Sequence, residues 1–206
     1  MDITVLGAAG KTGTEIVSQA LAAGHRVTAF VRTRGQITSK DPGVTVVGGD
    51  ARVTADLAKA LVGADAVISA LGSRKAGDEL LEKSSQSLLS AATGAGVSRV
   101  VVLSSFLAAT TYKPNMVGKL MAGMVKGIVA DKLAGEALLT RSDLDWTIVY
   151  AAPLDKAKPD SPVRILGVDE PGSMSNGIAR AAVARFLLAE VADGGRPRSK
   201  LVITSK

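Results

Sequence analysis

The chain contains no cysteine. Disulfides and thiolate metal sites are therefore excluded, and no metal is required by anything else in the sequence. Histidine is nearly absent too. The single residue, His25, precedes a β-branched run and so falls at the start of a strand. A Ser-His-Asp hydrolase needs its imidazole beside the nucleophile, so that class drops out and His25 reads as structural. Aromatics are sparse, with one Trp, two Tyr and three Phe. The 25 Lys and Arg are scattered rather than clustered on one face, which leaves no stacking platform or basic stripe, and no nucleic-acid partner is expected. No apolar run approaches the ~18 residues of a membrane span. No basic segment followed by an apolar stretch and a small-residue cleavage site opens the chain, so no signal peptide is expected and the cytoplasm is the expected location.

What is present is an apolar, moderately basic chain of 206 residues with a formal charge of +6. The length suits one domain. A modest positive field favours the approach of anionic cofactors and substrates. The cluster Arg196-Pro197-Arg198-Ser199-Lys200 reads as a solvated loop.

Strand-like runs fall near 2–6, 26–31, 44–48, 65–70, 98–104, 145–150 and 200–204. Helical runs fall near 12–23, 53–61, 78–95, 115–140 and 175–192. Most of the strands are apolar on both sides of the period-two pattern, as parallel strands covered on both faces must be. The alternation predicts right-handed βαβ units in a single α/β domain over 1–206, a doubly wound parallel sheet of the Rossmann type. The least regular stretch, 151–174, holds Pro153, Pro159, Pro162, Pro171 and Gly172, with Val163–Val168 as a short extra strand inside it. A long connection at the carboxyl ends of strands is the expected substrate cover, although it can also be a disordered insert.

The most informative motif is Gly7-Ala8-Ala9-Gly10-Lys11-Thr12-Gly13, between the first strand and the first helix. Glycines there let the backbone approach a pyrophosphate, and the helix N-terminus adds free N–H groups and a favourable dipole. A P-loop would need a glycine at position 5, which is Val5. A purely structural βα turn also uses glycine, so the next strand matters. That strand, Val27-Thr28-Ala29-Phe30-Val31, ends at Arg32. An NAD site often places a carboxylate there, about 20 residues past the glycines. A guanidinium instead suits a 2′-phosphate, so the expected cofactor is NADP(H). A solvated strand end is the plainer alternative.

The remaining βα loops should line the same edge. After the third strand, Asp50 is placed to accept from an adenine amino group, or to cap the next helix, and Ala51 to offer backbone. After the fourth, Ala70, Leu71 and Gly72 are small enough to let a ribose pass, and Arg74 faces either a pyrophosphate or solvent. After the fifth come Ser104 and Ser105, where nicotinamide and substrate should meet. With no adjacent histidine, Ser105 is cast as a hydrogen-bond donor that orients a carbonyl or helps a proton move, or as the cap of the following segment. After the sixth, the backbone at Pro153 could face a carboxamide. Trp146 reads as core. Met116–Met124 is a soft apolar helix that either flanks a planar ligand or packs normally. Lys132 and Glu136, four apart, read as a surface pair.

Taken together with Gly49-Asp50, Ala66–Ser73, Val101–Phe106 and Ser142–Val149, these motifs resemble the atypical short-chain dehydrogenase/reductases. The similarity is to the NAD(P)-binding NmrA-like group, and within it to the biliverdin IXβ reductase/flavin reductase subgroup. It implies Thr12 and Gly13 at the pyrophosphate, Arg32 at the 2′-phosphate, Ser105 near the substrate, and hydride delivery to a flavin or linear tetrapyrrole. One departure stands out. The Tyr-x-x-x-Lys pair of typical short-chain dehydrogenases is missing: four residues before Lys132 stands Ile128, before Lys119 stands Asn115, and four after Tyr112 stands Met116. Flavin reduction does not need that pair, because positioning does most of the work. A non-catalytic NADP(H) sensor or assembly factor with a protein partner fits the same departure.

Overall fold

The first strand, β1 (Asp2–Leu6), is buried along nearly its whole length, and a strand with no solvent face needs neighbours on both edges and cover on both sides. The computed structural model describes residues 1–37, 39, 41–73, 77–109, 123, 125–154, 157–167, 177–192 and 195–205. In it β1 pairs in parallel with β2 (Arg26–Val31) on one edge and β4 (Ala66–Ser69) on the other. Beyond them lie β3 (Val44–Gly48), β5 (Arg99–Ser105), β6 (Asp145–Ala151), β7 (Val163–Leu166) and β8 (Ser199–Ser205). The order across the single sheet is β3-β2-β1-β4-β5-β6-β8-β7. Every pairing is parallel except β7 with β8. The chain reverses its direction of winding between β1 and β4, the crevice where doubly wound sheets bind ligands. The expected Rossmann-type architecture is thus present, and the extra strand inside 151–174 is an antiparallel edge strand.

Helices α1 (Lys11–Ala22) and α5 (Arg180–Ala192) cover one face. Ile3, Val5, Ile16, Val183 and Leu187 form the core beneath them. Helices α2 (Thr54–Ala60), α3 (Leu80–Ala95) and α4 (Lys126–Thr140) cover the other, over Leu6, Phe30, Leu57, Val67, Leu88 and Leu139. Each such side chain contributes about 1.5–3 kcal/mol on burial, so the two apolar layers hold the sheet between them. A smaller cluster of Phe106, Trp146, Ile148, Tyr150 and Val202 fills the space over β6 and β8. Trp146 is core, as its place in a strand suggested.

α4 is described from Lys126, so Tyr112, Asn115 and Lys119 lie outside the described residues, as does Met116–Met124 apart from Gly123. Two readings need correction. The basic cluster near 196 is not merely solvated. Arg196 pairs through Nη1 with the buried Glu190 and donates its backbone N–H to the same carboxylate at 2.9 Å, while Arg198 reaches the carbonyl of Asp143 at 3.2 Å. A buried carboxylate needs such partners, and Arg99 supplies another at 3.8 Å. The second concerns Lys132 and Glu136: Glu136 is not at the surface but only 4% exposed. Among the described residues, no helix is long and apolar enough to cross a membrane.

Candidate functional site: a dinucleotide cradle and a buried carboxylate

The loop after β1 is shaped by contacts that only glycine permits. Gly7 has φ +76°, and a Cβ there would lie 2.9 Å from the Ala70 carbonyl oxygen at the end of β4. A Cβ on Gly13 would lie 2.1 Å from the Gly7 oxygen and 2.8 Å from Ala8 Cα. Gly10 N–H donates to Gly7 at 2.9 Å and closes the turn. Gly10 is also the N-cap of α1 and has no side chain to cap it. Among the described residues, the amides of Lys11, Thr12 and Gly13 meet no acceptor. Three donors and the positive end of a helix dipole therefore face the crevice. Thr12 is buried, Ala8 and Ala9 pack on the core, and Thr14 turns its hydroxyl back onto Gly10 and Lys11 at 3.1 Å.

Arg32 follows β2 and is exposed. Among the described residues no carboxylate pairs with it. Immediately after it a short turn, Arg34–Gln36, is fixed by a capping box in which Thr33 N–H donates to Gln36 Oε1 at 3.1 Å. Gly48 makes room for the stem of Arg34, since a Cβ there would sit 2.9 Å from Arg34 Cγ. Two guanidiniums thus flank the ends of β2 and β3.

Asp50 does not cap α2. The N-cap is Val53, with no side-chain bond, and only the Asp50 backbone carbonyl serves Val53 N–H. Its carboxylate is gripped by Arg52, with Nη2 at 2.6 Å, Nε at 3.0 and 3.1 Å, and the backbone N–H at 2.9 Å. These bonds, with a smaller contribution from Arg32, hold the Asp50 carboxyl below its ordinary value. The reach to the second residue onward is what pre-empts the cap. Ala51 is buried beside it.

At the end of β4, Ala70 N–H pairs with Leu6 at 2.9 Å, so the strand runs on until it abuts Gly7. Leu71 is half-buried and Gly72 exposed with open space around it. Arg74 lies outside the described residues. Pro153 gives its carbonyl to Ile178 N–H at 3.0 Å, which ties the end of β6 to the approach of α5.

The two serines at the end of β5 point to opposite sides, as strand alternation requires. Ser105 Oγ accepts from Leu107 N–H at 3.3 Å and caps a short turn, Phe106–Ala108. Ser104 is buried and donates to Glu136 Oε1 at 2.5 Å. Tyr150 OH, from β6, donates to Glu136 Oε2 at 2.6 Å. Such lengths belong to charge-assisted hydrogen bonds. Burial, reinforced by the bond to Glu136, pushes the Tyr150 phenol above its ordinary value. With its hydrogen committed to Glu136, Ser104 can only accept from a ligand. Glu136 reaches this position because α4 packs tightly on α3. A Cβ on Gly135 would lie 2.6 Å from the Leu81 oxygen. Asp131, also on α4, accepts from Leu81 and Glu82 N–H at 3.0 and 2.9 Å and so caps α3. Sequence reasoning missed Glu136 and Tyr150 as site residues. The available signal was a carboxylate directly after a glycine in the helical run.

The cradle, the outward amides and Arg32, which makes no ion pair among the described residues, fit a dinucleotide with an additional anionic group. Comparison with known proteins agrees on the coenzyme class: the profile of a family described as NAD(P)H-binding matches residues 7–194. The chain belongs to the NAD(P)H-binding family. Among curated relatives, it is 32% identical over 158 residues to the photosystem II assembly factor Ycf39 of Synechocystis, covering 74% of this chain and 44% of that one. It is 33% identical over 104 residues to the uncharacterised protein YwnB of Bacillus subtilis, covering 50% and 46%. The chain thus spans less than half the length of these relatives. Among solved structures, the oxidoreductase ylbE of Lactococcus lactis superposes with TM-score 0.83 at 22% identity, covering 100% of this chain and 91% of that one. ChuY of Escherichia coli O157:H7, an anaerobillin reductase, gives 0.81 at 20% identity, covering 100% and 97%. A short-chain dehydrogenase/reductase of Veillonella parvula in complex with NADP gives 0.81 at 19%, covering 98% and 93%. At these identities the structures establish the shared fold.

Proposed function

We propose that this protein is an NADPH-dependent reductase that passes hydride to a flavin or a similar planar conjugated acceptor, in the manner of the biliverdin IXβ reductase/flavin reductase subgroup of the NmrA-like proteins. The observation that carries the reading is the glycine cradle paired with Arg32, a cation that makes no ion pair or hydrogen bond among the described residues. Gly7, Ala9, Gly10, Lys11, Thr12 and Gly13 would hold the pyrophosphate through backbone N–H groups. Arg32 would grip the 2′-phosphate. Asp50 and Ala51 would meet the adenine, and Ala70, Leu71 and Gly72 the nicotinamide-side ribose. Ser104 and Pro153 would border the nicotinamide, and Ser105 would orient the acceptor. Bound there, the coenzyme would supply the hydride, and the protein would supply alignment and exclusion of water. That Ile128 stands one turn before Lys132 on α4 supports an acceptor that needs no tyrosine acid. The NADP complex and the named reductases among the structural neighbours support the class. The partner would be a small planar molecule in the cytoplasm, with no nucleic acid or membrane involved.

The relationship to an assembly factor favours a second reading, a non-catalytic NADP(H) sensor that binds a protein partner. NADPH absorbance followed with and without FMN separates the two. Acceptor-dependent oxidation supports the reductase. Tight NADPH binding without turnover overturns it in favour of the sensor.

A further inference from the structure

Lys132 and Glu136 stand one turn apart on α4, and both line a partly open cleft with room for about 20 Å³ of water at the C-terminal ends of β4 and β5. That volume suits a single water. The other polar groups on its wall are hydroxyls, Ser69, Ser84, Ser85 and Ser104, and the remainder is aliphatic. Glu136 is saturated by two neutral donors, Ser104 and Tyr150. Among the described residues, the Lys132 ammonium forms no hydrogen bond. Among the described residues, the charged or titratable groups facing it are Asp131 and Glu136 from its own helix and, behind Glu136, Tyr150 from β6. α3, β4 and β5 present only serines and apolar side chains to the cavity.

An ammonium in such surroundings is costly unless its charge is compensated. Asp131 is committed to the N-terminus of α3, which leaves Glu136 as the compensating group. Burial moves the lysine below its ordinary value, and Glu136 and then Asp131 oppose that shift. Tyr150 moves upward and keeps its proton. The cluster therefore places an ammonium whose proton is loosened by burial on the same cleft wall as Ser104, at the strand end that the reductase reading assigns to the nicotinamide.

We propose that Lys132 is the proton store of the acceptor side, and that Glu136 is the positioning residue that keeps it loaded. The proposal rests on the reductase reading. A two-electron reduction by hydride leaves the acceptor one proton short. In the step assigned to this protein, an N–H bond of Lys132 breaks and a new bond to hydrogen forms on the reduced acceptor, through the cavity shared with Ser104. No electrons are exchanged with the protein, and the neutral amine regains its proton from bulk water. This gives the site an acid without the missing tyrosine.

The test uses the full chain with NADPH and FMN, in wild type, Lys132→Met, Lys132→Arg and Glu136→Gln. NADPH binding is measured first by calorimetry. All variants should bind within about threefold of wild type, which also shows that they fold. Lys132→Met and Lys132→Arg should both lose at least tenfold in kcat, because arginine keeps the charge but does not release a proton. Glu136→Gln should move the alkaline limb of the kcat profile about one pH unit lower. In a sample with ¹³C-labelled lysine, one resonance should titrate below the ordinary lysine range, vanish in Lys132→Met and shift further down in Glu136→Gln. Full turnover in Lys132→Met, full rescue by Lys132→Arg, or a lysine spectrum with no low-titrating resonance overturns the proton store. A wild type that fails to bind NADPH overturns the reductase reading itself, a result distinct from any of these.

Discussion

The two halves of the crevice are built by opposite means. On the side of β1, β2 and β3 the working groups are backbone amides, glycines and exposed guanidiniums, of which Arg32 makes no ion pair among the described residues. On the side of β4, β5 and β6 they are buried side chains already bonded to one another. The first half is prepared to receive negative charge from outside, since among the described residues no acceptor meets the amides of Lys11, Thr12 and Gly13. The second carries its own negative charge, the Glu136 carboxylate, and satisfies it internally. Removing a group from the first half should therefore damage binding, and removing one from the second should damage stability or chemistry.

The sharpest break of that contrast is Gly13→Ala. The added Cβ would sit 2.1 Å from a backbone oxygen and 2.8 Å from Ala8 Cα, neither of which can swing aside. The loop must shift, so NADPH affinity should fall more than 100-fold. Overpacking of this kind costs about 1–3 kcal/mol, or a Tm lower by roughly 3–10 °C. Calorimetric titration and thermal melting read both effects, and unchanged NADPH affinity would show that the cradle is only structural.

Arg32→Ala comes next. It removes a charge-assisted contact worth about 1.5–3 kcal/mol, so NADPH affinity should fall about 10- to 100-fold while NADH affinity stays level and the Tm does not move. Equal loss for both coenzymes would place Arg32 elsewhere than at a 2′-phosphate. Tyr150→Phe tests the other half. It strips one donor from a buried carboxylate, which costs about 1–3 kcal/mol of stability. The Tm should drop by several degrees with NADPH affinity unchanged. A large loss of NADPH affinity instead would mean that the two halves are not separable.

This contrast also explains what the sequence could disclose. The cradle lies within seven consecutive residues and the strands and helices alternate along the chain, so short-range pattern sufficed for the NAD(P)H-binding class, sheet and winding. Glu136 is 32 residues from Ser104 and 14 from Tyr150, and only the packing of α4 on α3 at Gly135 brings them together. An i,i+4 pair on a helix reads as a surface feature until the helix's orientation is known. At Asp50 one of the two roles left open, the helix cap, is not taken up. Its carboxylate prefers Arg52, two residues on, to the helix that follows, and the competition between a local side-chain bond and a cap is not legible from residue type alone.

The smallest effect expected is at Asp50, where both views of the crevice can be compared. Asp50 and Arg52 are each partly exposed, so the pair is screened and is worth less than about 1 kcal/mol. Because the hydrogen bonds from Arg52 hold the carboxyl below its ordinary value, the folded state binds its proton less readily than the unfolded chain. The stabilisation is then fully present above that value and is lost as the pH falls through the lower, folded one. Asp50→Asn should lie slightly below wild type in thermal stability at pH 7, and the two should converge in acid once the pH has fallen through the lowered folded value. NADPH affinity should change by less than fivefold, since one adenine contact of this kind contributes about 1 kcal/mol. A difference in stability that persists unchanged into strong acid would show that the Asp50 contribution is packing rather than charge. A loss of affinity as large as that at Arg32 would show that the internal grip of Arg52 is released when coenzyme binds, and that the binding half also carries a network it must break.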